Sequence, residues 1–236
     1  MSIKYVLFDL DGTLLPMDQE LFTKAYFKKL AKKLAPLGYD PEKLIDGIWT
    51  GTASMVKNDG TCTNEERFWK TFTEKFYSDA MKDKPVFDEF YRNEFQQVSE
   101  VCGYTPKAKA IVDAIKAKGY KVVLATNPIF PSVATESRIR WAGLNVEDFE
   151  LYTTYENSCF CKPNTAYYTD ILDRLGYKAE ECLMIGNDVT EDMVAETIGM
   201  SVFLLTDCMI NKNNKDIYTY PHGNFDDLME FINNVL

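Results

Sequence analysis

Apolar residues follow two different rhythms along this chain. Between about residue 16 and residue 101 they recur every three or four positions, as in Phe27, Leu30, Ala31 and Leu34, or Phe68, Phe72 and Phe76. Such spacing gathers them on one face of a helix, because a turn takes 3.6 residues. Leu44, Ile45, Ile48 and Trp49 mark another helix, and Phe87, Phe90, Tyr91 and Val98 one more. Four amphipathic helices can bury their stripes against one another as a small bundle.

Elsewhere the apolar residues come in short runs, at Tyr5 to Phe8 and around Val122, Leu151, Leu183 and Val202. Helix-like stretches near 108–117, 133–142, 165–175, 192–198 and 225–235 separate or follow them. Alternation of this kind predicts an α/β fold, a Rossmann-like parallel sheet with helices on both faces. A crossover between parallel strands takes roughly a dozen residues or a single helix. The gap from Thr13 to Lys121 is far longer, so the helical segment reads as an insertion. The expected division is a core of residues 1–15 and 102–236 and an all-helical domain of residues 16–101, with joints near residues 15–17 and 101–105.

Four of the apolar runs or their neighbours end in chemistry. Tyr5-Val6-Leu7-Phe8 leads into Asp9-Leu10-Asp11-Gly12-Thr13, two carboxylates at a strand end followed by a glycine that lets the backbone turn. Two acids aimed at one point repel unless a cation or a shared proton joins them. An ionised Asp can attack an electrophile while one of raised pKa carries a proton. Lys121-Val122-Val123-Leu124-Ala125 ends in Thr126-Asn127-Pro128, a hydroxyl and amides suited to phosphoryl oxygens. Lys162 precedes Pro163, a residue able to open the next helix. Cys182-Leu183-Met184-Ile185-Gly186 runs into Asn187-Asp188, with Asp192 four residues further on; Thr190 among these acids can also serve simply as a helix cap.

Taken in order, these motifs resemble the haloacid dehalogenase (HAD) superfamily of aspartate-nucleophile phosphohydrolases, and the resemblance runs from Tyr5 to about Leu205. It implies that Asp9 forms an aspartyl-phosphate and that Asp11 protonates the leaving oxygen and then activates water. It implies that Thr126 and Lys162 hold the phosphoryl oxygens with help from the Asn127 backbone. Magnesium would be bound by Asp188, the Asp9 carboxylate and the Asp11 backbone carbonyl, and Asp192 would orient the site. Asn187 stands where some relatives carry another acid. The helical insertion corresponds to a mobile cap over the site, closing out water. Its aromatics are expected to form the cap's own core, with loop residues 57–60 as candidates for selecting substrate.

Elementary chemistry favours the same roles. A phosphoryl group in transfer is electron-rich, so a carboxylate approaches it only when positive charge offsets the repulsion. Lys162 and a hard, oxygen-bound cation such as Mg2+ would supply it. The chain has one histidine, His222 in a Tyr-Pro-His-Gly turn, which leaves little for a histidine-dependent hydrolase. Six scattered cysteines among 236 residues form neither a disulfide framework nor a zinc motif, and the net charge of −10 argues against nucleic-acid binding. No leader-like segment or run long enough to span a bilayer is present, so a cytoplasmic enzyme with no membrane partner is expected. The function expected is a magnesium-dependent phosphatase for a small phosphorylated metabolite. A phosphomutase on the same scaffold and a non-catalytic phosphate-binding regulator are the alternatives. Oligomeric state is left open, as is whether residues 207–220 form an ordered edge or a loop.

Overall fold

The computed structural model describes residues 3–76 and 78–235. Residues 1, 2, 77 and 236, which fall inside the expected domain ranges, lie outside the described residues. Five strands, β1 (Tyr5–Phe8), β2 (Lys121–Leu124), β3 (Cys182–Gly186), β4 (Ser201–Leu205) and β5 (His222–Gly223), form one parallel sheet in the order β2-β1-β3-β4-β5. β1 is central, with Phe8 in register with Leu124 on one side and Ile185 on the other. The carboxyl ends of three strands therefore finish level with one another.

The sheet is buried on both faces, which is why its strands are apolar without alternation. Val6, Phe8, Leu124 and Ile185 belong to a cluster shared with α5 (Pro106–Ala117), α6 (Ser132–Trp141) and α8 (Phe225–Val235). Leu7, Val123 and Met184 face Tyr167, Tyr168 and Ile171 of α7 (Thr165–Leu175). The ends of these helices carry ordinary stop and start signals. Thr105 and Asn164 cap α5 and α7 through their side chains, and Gly176 ends α7 at φ 69°.

Between β1 and α5 lie α1 (Gln19–Leu34), α2 (Pro41–Val56), α3 (Asn64–Phe76) and α4 (Lys84–Arg92), capped at Asp18 and Asp40 for the first two. Their apolar stripes pack on one another as expected, Phe27 of α1 against Trp49 of α2 and Trp69 and Phe72 of α3 against Phe87 of α4, and the packing extends into the core. Phe22, Tyr26 and Phe95 pack around Phe130 of the core, and Phe95 also meets Trp141, so one apolar cluster runs from the helical layer into the sheet. The two chain crossings lie side by side: Met17 bridges Cys102, and the Gly103 N–H donates to the Pro16 carbonyl at 2.7 Å.

Several local expectations are corrected. The run around Leu151 forms an isolated bridge, Leu124 to Tyr152, in place of a full strand; backbone bonds from Glu150 to the Val122 carbonyl, from Leu124 to the Leu151 carbonyl and from Thr153 to the Leu124 carbonyl lay it along the outer edge of β2. The helix expected over Phe87 to Val98 breaks at Asn93 and continues as 3-10 turns from Glu94 to Val101. Residues 193–198 are likewise 3-10, stopped by Gly199 at φ 94°. Pro163 does not open α7; Asn164 caps it and Thr165 begins it. His222 sits in β5, not in a turn, with its ring Nδ1 against the Tyr220 carbonyl at 2.8 Å.

Candidate active site

The level strand ends place Asp9, Thr126 and Asn187 side by side. The Asp9 N–H donates to the Ile185 carbonyl at 2.9 Å and the Ala125 N–H to the Phe8 carbonyl at 2.7 Å, so the ladder continues up to the candidate residues. After Asp9 the chain turns sharply. Gly12 has φ 85°, and a Cβ there would collide with the Asn187 side chain. Thr13 exploits that closeness: its hydroxyl lies 3.0 Å from Asn187 Oδ1 and 3.2 Å from Asp9 Oδ2.

Lys162 is wholly buried and donates to Asp9 Oδ1 at 2.9 Å and Asp192 Oδ1 at 2.6 Å. Burial alone would favour the neutral amine, but Asp192 and Asp9 outweigh it and hold the ammonium well above its ordinary pKa. Burial pushes Asp192 up to about 6 against the pull of Lys162, which leaves it ionised at neutral pH. Its other oxygen accepts the Asp188 N–H at 2.9 Å. Asp192 thus ties the lysine to the strand end that carries Asp188. Gly186 permits this, since a Cβ there would strike the Asp192 carboxylate.

Asp188 Oδ1 accepts the N–H groups of Thr190 at 2.7 Å and Glu191 at 2.9 Å, so Asp188, not Thr190, caps this turn. Among the described residues no donor reaches its second oxygen. Thr126 is buried, and its carbonyl is fixed by the Thr153 hydroxyl at 2.6 Å and the Tyr167 hydroxyl at 2.8 Å. The side chain of Asn127 is engaged as well as its backbone: Nδ2 donates to Glu191 Oε2 at 3.0 Å. Glu191 is pushed up to about 7 by burial, with Asp192, Asp188 and Asp9 adding to the effect and Lys162 opposing it.

Asp11 lies in a different setting. Its Oδ2 is in contact with Nη1 of Arg138, a residue of α6 with no exposed surface. Arg138 is held in turn by the Ala134 carbonyl at 3.3 Å and the Thr135 hydroxyl at 3.2 Å, and lies over the Phe130 ring at 4.5 Å. Burial raises the Asp11 pKa, and Arg138 opposes the rise without cancelling it. Asp11 Oδ1 is buried and has no partner among the described residues. Sequence reading missed Arg138 and Glu191. α6 carries Arg138 and Arg140 two positions apart, and nothing in their spacing says which one turns inward.

Asp9, Asp11, Thr126, Asn127, Asp188 and Asp192 all open onto one cavity of about 320 Å³ between the sheet edge and the helical layer. Among the described residues no cysteine or histidine lines it. No group of three or more His, Cys, Asp or Glu among the described residues forms a metal cage. The oxygens of Asp9 and the unpartnered oxygen of Asp188 nevertheless fit a hard divalent cation that keeps most of its waters.

A family model described as haloacid dehalogenase-like hydrolase matches residues 3–195. The chain belongs to that family. HAD relatives span nearly its full length. A phosphoglycolate phosphatase of Vibrio parahaemolyticus is 24% identical over 94% of this chain and 87% of its own. A 2-haloacid dehalogenase structure from Pseudomonas syringae has a TM-score of 0.63 at 19% identity, covering 98% of this chain and 99% of its own. A HAD hydrolase structure from Bacillus subtilis, bound to magnesium and described as revealing interdomain movement, has a TM-score of 0.57 at 18% identity, covering 99% and 100%. These structures share the HAD fold with this chain. No helix among the described residues is long and apolar enough to cross a membrane.

Proposed function

We propose that this HAD-like hydrolase is a magnesium-dependent phosphatase acting on a small phosphomonoester through an aspartyl-phosphate on Asp9, with residues 16–101 as its cap. The observation that carries the reading is the contrast between two carboxylates opening onto one cavity. Asp9 is salt-bridged to Lys162, whereas burial favours a proton on Asp11. A nucleophile and a proton donor require that contrast.

Each residue then has a task. Asp9 attacks phosphorus, and the bond to the departing alkoxide breaks as that oxygen takes the proton of Asp11. Arg138 occupies Oδ2 of Asp11, which leaves Oδ1 to carry the proton. Asp11, now a base, removes a proton from the water that attacks the phosphoryl group and frees Asp9. Lys162, the Thr126 hydroxyl and the Asn127 backbone hold the non-bridging oxygens. Asp192 keeps Lys162 in place. Magnesium, bound by Asp9, Asp188 and the Asp11 carbonyl, would supply the charge that lets two anions meet.

The magnesium-bound relative and the phosphatase relative support this reading. Phosphate release from a panel of phosphorylated acids, sugars, nucleotides and simple alcohols tests it. Release that needs magnesium, stops with chelator and is lost in both Asp9→Asn and Asp11→Asn is expected. No release from any ester by folded protein would overturn it.

A further inference from the structure

The cavity beyond the reacting groups is walled largely by aromatic and aliphatic side chains. Its far wall comes from the helical layer: Phe22 and Phe27 of α1, Trp49 of α2, Phe68 and Trp69 of α3, Phe87 of α4. The core contributes Ile129 and Phe130 beside them. These aromatics were expected to be cap core; they are also the wall of the site. The loop 57–60 does not line the cavity. Asn58 is buried, bonding the Cys62 carbonyl and Asn64 at 2.9 Å each, and Gly60 packs on Phe160.

Charge is confined to one end. Asp9, Asp11, Asp188, Glu191, Asp192 and Lys212 are the charged residues that line the cavity, and all six belong to the core. Lys212 is exposed and follows Ile210, whose N–H donates to the Asn187 carbonyl at 2.8 Å, so it stands at the phosphoryl end. Among the described residues, the polar groups that the helical layer adds to the lining are neutral, such as Gln19, Thr23 and Thr52. The hydroxyls of Tyr26 and Tyr91 satisfy each other at 2.8 Å. A carboxylate or second phosphate on the substrate would sit among aromatic rings with no cation to pair with, a costly arrangement. A flat apolar group would instead displace water and meet ring faces and edges. The volume is within the range of sites for ligands larger than a two-carbon acid.

Resting on the phosphatase reading above, we infer that the substrate is the phosphomonoester of a neutral, flat, apolar alcohol, recognised by the aromatic wall of the helical layer. Trp49, about half exposed at 51%, is the wall residue open to an entering group.

Benzyl phosphate and 2-phosphoglycolate are a matched pair of probes. Both are esters of a primary alcohol, and a phenyl ring in one replaces a carboxylate in the other. With magnesium present, kcat/KM for benzyl phosphate is expected to exceed that for 2-phosphoglycolate by roughly tenfold or more. Thr52→Arg, which adds a cation to the neutral wall at a half-buried helix position, is expected to narrow that ratio; Trp49→Ala is expected to lower it through loss of the benzyl ester alone. Equal turnover, or preference for 2-phosphoglycolate, would overturn the inference while leaving the phosphatase reading intact. If neither ester is cleaved, the wider panel decides the phosphatase reading, and calorimetry with benzylphosphonate and phosphonoacetate decides the inference separately. Tighter binding of benzylphosphonate supports it, and equal or weaker binding overturns it.

Discussion

Arg138 and Asp11 are 127 positions apart in the chain, yet the buried guanidinium of one touches the carboxylate of the other. α6 aims Arg138 at the turn after β1, and the contact occupies one oxygen of Asp11 while leaving the other unpartnered. A proton donor needs its carboxyl oriented so that one oxygen alone faces the leaving group. In the proposed mechanism Arg138 acts through Asp11 as a positioning residue.

Replacing Arg138 with Met should leave Asp11, about a fifth of whose side chain is exposed, without its cation. The stability loss, smaller than the roughly 3–5 kcal/mol of a fully buried pair, should register in chemical denaturation. Turnover should fall at least tenfold with KM little changed. In the Asp11→Asn background the same change should cost little further activity, because the two residues act as a unit. Additive losses would contradict the coupling.

Lys162 joins two carboxylates at once, so its loss should be more damaging than a surface substitution. Lys162→Met leaves Asp9 and Asp192 both buried and facing each other. A loss of about 3–5 kcal/mol in unfolding free energy is expected, together with no measurable turnover. Lys162→Arg should restore little of either, since a planar guanidinium does not fit an enclosed ammonium position. Thermal unfolding and phosphate release on the three proteins check this.

Gly12 turns the chain in the left-handed region against Asn187. Gly12→Ala should cost about 1–2 kcal/mol for the backbone alone, and more for the collision. It should also separate Thr13 from Asn187 and lower kcat. An alanine variant with native stability and rate would show that the turn relaxes freely.

The sheet core carries a pH signature of its own. Cys182, fully buried in β3, is pushed up to about 12 from its ordinary 9.0 by burial, with Glu181 and Glu180 adding to it. The folded state thus keeps a proton that the unfolded chain gives up. Its stabilising effect is complete below pH 9 and is lost as pH rises from there toward about 12, at up to about 1.4 kcal/mol per pH unit. Urea midpoints of Cys182→Ala should fall less steeply over that alkaline window than those of the parent protein.

The four motifs were legible because each ends an apolar run or stands beside a proline, and local spacing suffices to see that. Their convergence follows from the register of β1, β2 and β3. Arg138 was hidden for the opposite reason: which arginine of α6 faces inward depends on how the helix sits on Phe130 and Asp11, a tertiary fact. The aromatics of the helical layer do form a buried core as expected, but that they also wall the cavity was not legible, because periodicity marks a buried stripe without saying whether one side of it meets a cavity. Leu151 had the composition of a strand, and it does run along β2 through backbone bonds at Glu150, Leu151 and Thr153, but the pairing is too short to extend beyond one bridge.

The central claim is that Asp9 carries the phosphoryl group between two transfers. Rapid-quench mass spectrometry of the enzyme mixed with magnesium and a turned-over ester tests it most directly. The account predicts that, within the first turnover, the peptide bearing Asp9 gains the mass of one phosphoryl group and then loses it, and that Asp9→Asn never gains it. Steady turnover with no transient mass on that peptide, or with the mass on another residue, would contradict it.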